Sequence, residues 1–215
     1  MAERIDIYDA DLRHLGVMDR KEAHKEGHWH QTFHCWVVNG RENGSVLFQV
    51  RSPEMVNFPN MLDVSAAGHL EAGETEEQGI REVREELGIP LEMKSLHRLG
   101  YRVEVADQSN GQKNREYQAV YLHRLDKDLS GYYPQVEEIS GLVWLGLQEG
   151  LELFSGAREH ATVSGVRWNK SDSQWVSIRR EVTMEDFLPR IQNYYLTVCI
   201  MAERLLENRF PLAIS

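Results

Sequence analysis

The chain has 215 residues, of which 41% are hydrophobic and 9% aromatic, and it carries a formal net charge of −10. This composition supports a packed core and excludes a disordered, collagenous or fibrous protein. At about 150 residues per domain, the length fits one domain with an extension, or two very small domains. Because 34 acidic residues outweigh 24 basic ones, the chain lacks the cationic surface needed for non-specific binding to a nucleic acid polymer.

The cysteines and the N-terminal segment indicate a cytoplasmic protein without a membrane anchor. Cys35 and Cys199 lie far apart, and neither belongs to a C-x-x-C pair, which is typical of a reducing compartment. The first residues are charged throughout and lack the apolar stretch of a secretory signal. The longest apolar stretch, residues 194–202, is far shorter than the ~20 residues that a membrane helix needs.

Five segments rich in β-branched and aromatic residues are predicted to be strands, since turn-forming residues bound each of them. They are residues 32–38, 45–50, 101–105, 116–123 and 141–145. A helix is predicted over residues 75–87, because Gly88 and Pro90 follow it as a stop signal. Together these elements predict a mixed α/β domain over residues 1–155.

Residues 156–215 are predicted to form an extension that ends in a long amphipathic helix. Between residues 185 and 208, apolar side chains recur at helical spacing and define one face. Pro189 is expected in the first turns, where its missing N–H is tolerated. The apolar face is expected to pack on the preceding domain, and a homodimer interface is the alternative. Residues 151–183 carry no distinct helix or strand pattern.

A glutamate-rich segment, residues 68–89, is the most informative part of the chain. On a helix, the carboxylates of Glu82, Glu85 and Glu86 converge on one face. Hard divalent cations such as Mg²⁺ neutralise such clusters, and Arg81 can hold one of the carboxylates in position. A solvated helix face is the alternative for an acidic run of this kind.

The segment resembles the signature box of the Nudix hydrolases, Gly-x5-Glu-x7-Arg-Glu-U-x-Glu-Glu-x-Gly-U, in which U is a bulky aliphatic residue. Gly68 and Glu74 match the first half of the box, and residues 81–89 match the second half completely. The spacer between the halves, residues 75–80, has six residues where the family has seven. The short spacer leaves the position of Glu74 open but does not touch the register of residues 81–89.

The resemblance implies an α/β/α sandwich with a mixed sheet, and hydrolysis of a nucleoside diphosphate linked to another moiety. It implies that Mg²⁺ or Mn²⁺ is bound by Glu82, Glu85, Glu86 and the backbone carbonyl of Ala67. The cofactor-binding loop would contain Gly68, Gly73 and Glu74, and Arg81 would belong to the catalytic set. The general base varies within the family, and the candidates here are Glu82, Glu116, Glu137 and Glu138.

The regions that flank the box resemble isopentenyl-diphosphate delta-isomerases, a branch of the same fold. In that branch three histidines and a glutamate form a separate metal site, and the matching residues are His24, His30, His69 and Glu116. Such a set suits Zn²⁺ or Mn²⁺, whereas packing or capping is the alternative role for the histidines. The isomerase cysteine is replaced by Ala67, which cannot transfer a proton, so hydrolysis is favoured over isomerisation.

The sequence therefore predicts a metal-dependent hydrolase that acts on a small-molecule diphosphate. An isomerase-like enzyme is one alternative. A non-catalytic Nudix-fold module that senses a metabolite is the other, and the short spacer is the feature that favours it.

Overall fold

The structure, a computed structural model, describes residues 3–214. In chain order, its strands are β1 (Arg4–Tyr8), β2 (His14–Asp19), β3 (His30–Asn39), β4 (Ser45–Arg51), β5 (Leu62–Asp63), β6 (Ala66–His69), β7 (His97–Asp107), β8 (Lys113–Arg124), β9 (Ile139–Gly146), β10 (Ala161–Asn169) and β11 (Gln174–Val182). Its α-helices are α1 (Arg20–Glu26), α2 (Arg81–Leu87), α3 (Leu147–Ser155) and α4 (Tyr194–Leu206).

A mixed sheet forms the centre of the molecule. Its main order is β11-β10-β9-β4-β3-β8-β7, with β5 paired to β4 and β6 paired to β3. The β3–β8 pair is parallel, whereas its neighbours in the sheet are antiparallel. Strands β3 and β4 pair directly at Val38–Val46 and Asn39–Ser45 and then separate, so that β5 and β6 fill the gap between them.

Helices cover both faces of this sheet. On one face, α2 packs through Val83 and Leu87. On the other face, α3 and α4 pack over Trp36 of β3, and α4 contributes Tyr195 and Val198. Strand β3 is buried on both sides, in keeping with the continuous apolar run Cys35–Val38 in its second half. This arrangement is the α/β/α sandwich with a mixed sheet that the family resemblance implied.

Each of the five predicted strands lies within an observed strand, namely β3, β4, β7, β8 or β9. The structure adds elements that the sequence patterns did not reveal. Strands β1 and β2 form a separate two-stranded sheet, and α1 follows them. Strands β5 and β6 are too short to show a period in the sequence.

The C-terminal part contributes strands as well as a helix. Strands β10 and β11 form an antiparallel hairpin that pairs with β9 and extends the central sheet beyond residue 155. Trp168 and Trp175 face each other across the hairpin, with ring centroids 5.4 Å apart. Polar residues occupy many positions of this hairpin, which lies at the edge of the sheet, and they obscure its strand pattern in the sequence.

The predicted start of the C-terminal helix at residue 185 is wrong, because α4 begins at Tyr194. The preceding chain forms a 3-10 turn at Met184–Asp186 and then extends. The N–H of Leu188 donates to the carbonyl of Leu62 in β5 at 2.9 Å, so this stretch is tied to the sheet. Pro189 therefore lies before the helix. The apolar face of α4 packs on the sheet as predicted and is buried within the chain.

Two further features bear on the environment of the protein. Among the described residues, no helix combines the length and apolar character that crossing a bilayer requires. Cys35 and Cys199 are unpaired and buried, and burial raises the pKa of each thiol to about 12. Both residues therefore serve as apolar packing groups.

Candidate active site

The short spacer of the box folds as a 3-10 turn, so the prediction of one continuous helix over residues 75–87 is corrected. The turn spans Glu76–Ile80, and α2 begins directly after it at Arg81. The side chain of Gln78 accepts a hydrogen bond from the N–H of Thr75 at 2.7 Å, which caps the start of the turn. A 3-10 helix needs about 3.0 residues per turn, against about 3.6 in an α-helix, so it fits a spacer that lacks one residue.

Arg81 holds the acidic groups of the box together. Its guanidinium donates to both carboxylate oxygens of Glu74, at 2.6 and 2.9 Å. Its Nη1 donates to Glu82 at 2.7 Å and to Glu85 at 3.0 Å, while Nη2 reaches the carbonyl of His69 at 3.0 Å. Bidentate bonds of this kind fix both distance and orientation. Glu74 thus stays in contact with the box despite the short spacer, and it positions Arg81.

Glu82 and Glu86 lie against β6 with little access to solvent. The N–H of Ala67 donates to Glu86 at 2.8 Å, and a Cβ at Gly68 would overlap the carboxyl group of Glu82. Burial raises the pKa of Glu82 to about 7, and it raises the pKa of Glu86 well above the usual range. The charge of Glu138 adds to both shifts. Buried carboxylates that repel one another in this way fit a hard divalent cation.

The other residues predicted from the box lie at its edge. Gly73 has φ +84°, a left-handed conformation that favours glycine, and its N–H donates to Asp6 of β1 at 2.7 Å. The side chain of Glu85 is 52% exposed and contacts Arg81. Glu137 and Glu138 are both exposed, just before β9. Gly73 therefore shapes the loop, while Glu85 stands at the solvent side of Arg81.

A second cluster brings together His24, His30, His69 and Glu116, as the resemblance implied. Each offers one ligand atom, and these atoms all lie within 4.8 Å of one another. The residues come from α1, β3, β6 and β8, and Glu116 stands directly opposite His30 in the parallel pair of strands. Only the fold can place four residues from such distant parts of the chain side by side.

The chemistry of the second cluster fits a borderline metal ion. Nδ1 of His24 and Nε2 of His30 are buried without a hydrogen-bond partner in the described chain. Burial lowers the pKa of His24 to about 4 and that of His69 well below the usual range, so these imidazoles are neutral near pH 7. Neutral imidazoles beside a carboxylate are the donor set that Zn²⁺ and Mn²⁺ accept.

Sequence reasoning missed the charged residues buried next to these clusters. Asp63 of β5 lies in the gap between β3 and β4 and pairs with Arg190 at 2.6 Å and with Arg51 at 3.3 Å. Its charge also contributes to the raised pKa of Glu86. Arg102 and Glu104 of β7 are buried as well and form an ion pair. The only sign of these buried charges in the sequence was that Arg102 and Glu104 occupy alternate positions of one predicted strand. Alternate residues of a strand lie on the same face of the sheet, so a charged pair of this kind indicates a face in contact with solvent, unless another segment of the chain is known to cover it.

His34 predicts a pH dependence of stability. It is buried, and its Nδ1 and the hydroxyl of Tyr194 form a hydrogen bond of 2.9 Å. Burial, together with the charges of Arg190 and Arg102, holds the pKa of His34 well below the usual range. The unfolded chain binds a proton at this residue below about pH 6.5 and the folded chain does not. Stability is therefore lost as the pH falls below about 6.5, by up to ~1.4 kcal/mol per pH unit.

Urea unfolding of the wild type and the His34→Gln variant at about pH 7.5 and about pH 5.5 measures this contribution. We expect the variant to lose less free energy of unfolding than the wild type over this interval. An equal loss in both proteins would contradict the assignment.

Comparison with known sequences identifies the family. The NUDIX domain family model matches residues 28–164. A Nudix hydrolase of Clostridium acetobutylicum is 34% identical over 199 residues, which cover 91% of this chain and 95% of the relative. An isopentenyl-diphosphate delta-isomerase of Burkholderia multivorans is 25% identical over 164 residues, which cover 76% of this chain and 89% of the relative.

Comparison with solved structures gives the same fold. The crystal structure of a Deinococcus radiodurans protein is similar with a TM-score of 0.56 and 26% identity, covering 73% of this chain and 91% of that one. A MutT/nudix family protein from Enterococcus faecalis has a TM-score of 0.52 at 14% identity, covering 82% of this chain and 62% of that one. With a family match over more than half of its length and a relative covered almost from end to end, the chain belongs to the Nudix family and is a Nudix hydrolase.

Proposed function

We propose that the protein hydrolyses the diphosphate linkage of a nucleoside diphosphate derivative or a related small diphosphate, with Mg²⁺ or Mn²⁺ bound at the box. The observation that carries this proposal is the pair of buried carboxylates, Glu82 and Glu86, packed against β6 with pKa values raised by burial. Burying two carboxylates side by side costs free energy unless a cation neutralises them, and carboxylate oxygens are ligands that Mg²⁺ and Mn²⁺ accept.

The residues that would hold the cation are Glu82, Glu85, Glu86 and the backbone carbonyl of Ala67. A bound divalent ion supplies charge neutralisation for the diphosphate and lowers the pKa of a water ligand. The chain itself supplies the positioning. Arg81 bridges Glu82 and Glu85, Glu74 fixes Arg81, and the N–H of Ala67 orients Glu86. These contacts preorganise the ligands before substrate binds, which is a large part of catalysis by positioning.

The candidates for the general base differ in where they lie. Glu82 belongs to the box, and a bound cation would lower the pKa that burial raises to about 7 in the cation-free chain, which keeps this carboxylate ionised. Glu138 lies near enough for its charge to raise the pKa of Glu82 and Glu86. Glu116 belongs to the second cluster, where Gln118 donates a hydrogen bond to it at 2.7 Å. We therefore favour Glu82 and Glu138 as bases for attack at the box.

We further propose a second ion, Zn²⁺ or Mn²⁺, at His24, His30, His69 and Glu116. Its support is the group of four ligand atoms within 4.8 Å and the buried, unpartnered ring nitrogens of His24 and His30. This site also favours a second candidate function, an isomerase-like activity, because the relative from Burkholderia multivorans carries that name. Ala67 argues against it, since a methyl group cannot protonate an alkene.

The experiment that tests the proposed function is a panel of nucleotide and other diphosphates incubated with Mg²⁺ or Mn²⁺, with products identified by mass. We expect water-derived cleavage of at least one diphosphate, lost in the Glu85→Gln and Glu86→Gln variants. Turnover no greater than that of these variants across the panel would overturn the hydrolase proposal. Conversion of isopentenyl diphosphate to its isomer without hydrolysis would favour the second candidate.

The remaining alternative, a non-catalytic sensor, depended on the short spacer. The 3-10 turn keeps Glu74 bound to Arg81, so this argument for the alternative loses its physical basis. We propose the cytoplasm as the compartment, in keeping with two unpaired buried thiols. A homodimer stays a prediction. The face of α4 that suggested it is buried within the chain, so this face no longer supports a dimer.

A further inference from the structure

A row of buried polar side chains runs from the C-terminal segment to the second cluster. Its members alternate in charge along most of its length, and we call it the polar row. It consists of Asp63, Arg190, Glu104, Arg102, Gln118 and Glu116. The first five do not belong to the signature box or to the histidine cluster.

Arg190 is the member that the C-terminal extension contributes. Its side chain is only 8% exposed, and its guanidinium pairs with Asp63 at 2.6 Å and with Glu104 at 3.7 Å. The segment around it is fixed as well, because the carbonyl of Ile191 accepts a hydrogen bond from Arg102 at 2.7 Å. The extension thus inserts a charged group between two strands of the central domain, β5 and β7.

In the middle of the row, Arg102 and Gln118 connect these ion pairs to Glu116 through hydrogen bonds. Arg102 Nη1 donates to Glu104 and to the side-chain oxygen of Gln118, both at 2.6 Å. Since its oxygen is held, the amide of Gln118 must point its NH₂ group away from Arg102. That group donates to Oε2 of Glu116 at 2.7 Å. The other oxygen of Glu116, Oε1, then lies 4.0 Å from Nε2 of His30.

Burying the charged side chains of the polar row costs desolvation free energy, so stabilisation of the fold alone is a poor explanation for their presence. A buried ion pair can often be replaced by packed apolar side chains without loss of stability, because desolvation offsets the attraction. Orientation of a metal-binding carboxylate is a role that apolar side chains cannot supply. A hydrogen bond to one carboxylate oxygen leaves the other free to face the histidines.

We propose that Arg190 is a positioning residue for the histidine–glutamate site: through Glu104, Arg102 and Gln118, it directs the free oxygen of Glu116 toward the three imidazoles. This inference rests on the second metal site proposed above and is independent of hydrolysis at the box. Without Arg190, Asp63 and Glu104 compete for the remaining guanidinium groups, and Arg102 is drawn away from Gln118.

The affinity of the metal-free full-length protein for Co²⁺, followed by visible absorption, tests the proposal without an activity assay. The His69→Gln variant identifies which absorption belongs to the cluster. We expect Arg190→Met to weaken Co²⁺ binding at the cluster by about 10- to 100-fold and to change the shape of the spectrum. Arg190→Lys, which keeps the charge but cannot span both carboxylates, is expected to recover part of the affinity.

Two further variants complete the design. Arg180→Met breaks an ion pair of the same C-terminal part, with Asp186, that lies outside the polar row, and it is expected to leave Co²⁺ binding unchanged. Gln118→Met leaves the ion pairs of Arg190 and Arg102 in place while removing the donor to Glu116. Gln118→Met is expected to weaken Co²⁺ binding as Arg190→Met does. If Arg190→Met does not fold, Gln118→Met and Arg190→Lys together test whether the polar row positions Glu116.

The outcomes separate this inference from the others. Unchanged Co²⁺ affinity in folded Arg190→Met, or in Gln118→Met, would overturn the positioning role and leave the metal site standing. Absence of Co²⁺ binding at the cluster in the wild type would overturn both. Neither result bears on diphosphate hydrolysis at the box, which the substrate panel tests separately.

Discussion

The Glu86→Gln variant is expected to hydrolyse the substrate with a kcat lowered by about 10³-fold, the equivalent of ~4 kcal/mol of transition-state stabilisation. Glutamine keeps the size of the side chain and an oxygen that can accept from the N–H of Ala67, which now bonds to Glu86 at 2.8 Å. The change therefore removes a charge and little else. Steady-state kinetics with Mg²⁺, on the substrate that the panel identifies, measures the effect.

The same variant is expected to be more stable than the wild type when no metal is present. Burial raises the pKa of Glu86 well above its usual range, so folding at neutral pH either buries a charge or takes up a proton. This penalty grows as the pH rises above the unfolded pKa of about 4.3, and a neutral amide avoids it. Thermal unfolding with and without Mg²⁺ should show a raised Tm in metal-free buffer and a smaller gain on adding the ion.

The matched control is Glu77→Gln, which changes an exposed glutamate of the preceding 3-10 turn. We expect it to keep both kcat and Tm close to the wild-type values. A Glu86→Gln variant with wild-type kcat would remove Glu86 from the ligands. A lowered kcat together with a lowered metal-free Tm would instead indicate general damage to the fold.

A chain that ends after residue 155 is expected not to fold. The missing part supplies large side chains that are buried in the main core, among them Val163, Val182, Phe187, Val198 and Leu205. At ~1.5–3 kcal/mol for each buried side chain, their loss removes roughly 8–15 kcal/mol. A whole domain is stable by only about 5–15 kcal/mol. The region predicted as the Nudix domain thus depends on the extension for its own core.

Circular dichroism and urea unfolding of the 1–155 chain test this expectation. A second truncation, after residue 208, removes only the chain beyond α4 and is expected to stay folded. A cooperative urea transition of the 1–155 chain, with native near-ultraviolet signals, would contradict the expectation. It would also establish residues 1–155 as a domain that folds alone.

The part of the fold that could be predicted is the part whose signal lies among residues that are close together in the sequence. Strands β3 and β4 contain the apolar runs Cys35–Val38 and Val46–Phe48 because both of their faces are covered, and such runs are recognisable in a sequence. The box could be recognised because its spacing is local. Arg81, Glu82 and Glu85 lie within two turns of one helix, so their mutual contacts follow from the sequence alone.

The parts that could not be predicted depend on distant partners. Gln118 and Glu116 alternate along β8, but nothing local tells that Arg102 donates to Gln118, or that Arg190, far along the chain, pairs with the Glu104 that Arg102 also contacts. Arg190 follows Pro189 in a stretch whose apolar spacing favoured a helix, whereas in the structure the N–H of Leu188 bonds to the carbonyl of Leu62 in β5 and α4 begins only at Tyr194. The spacing of polar and apolar residues therefore cannot distinguish a charged side chain in contact with solvent from one that another segment of the chain buries.

The 3-10 turn at Glu76–Ile80 also affects how members of the family should be recognised. Each 3-10 residue rotates the chain by about 120°, whereas each α-helical residue rotates it by about 100°. Five residues of the first kind turn the backbone by about 600°, as far as six of the second kind. The angle between Glu74 and Arg81 can therefore be kept while the number of residues changes. A search pattern that demands seven intervening residues would pass over this chain, whereas one that counts rotation would not.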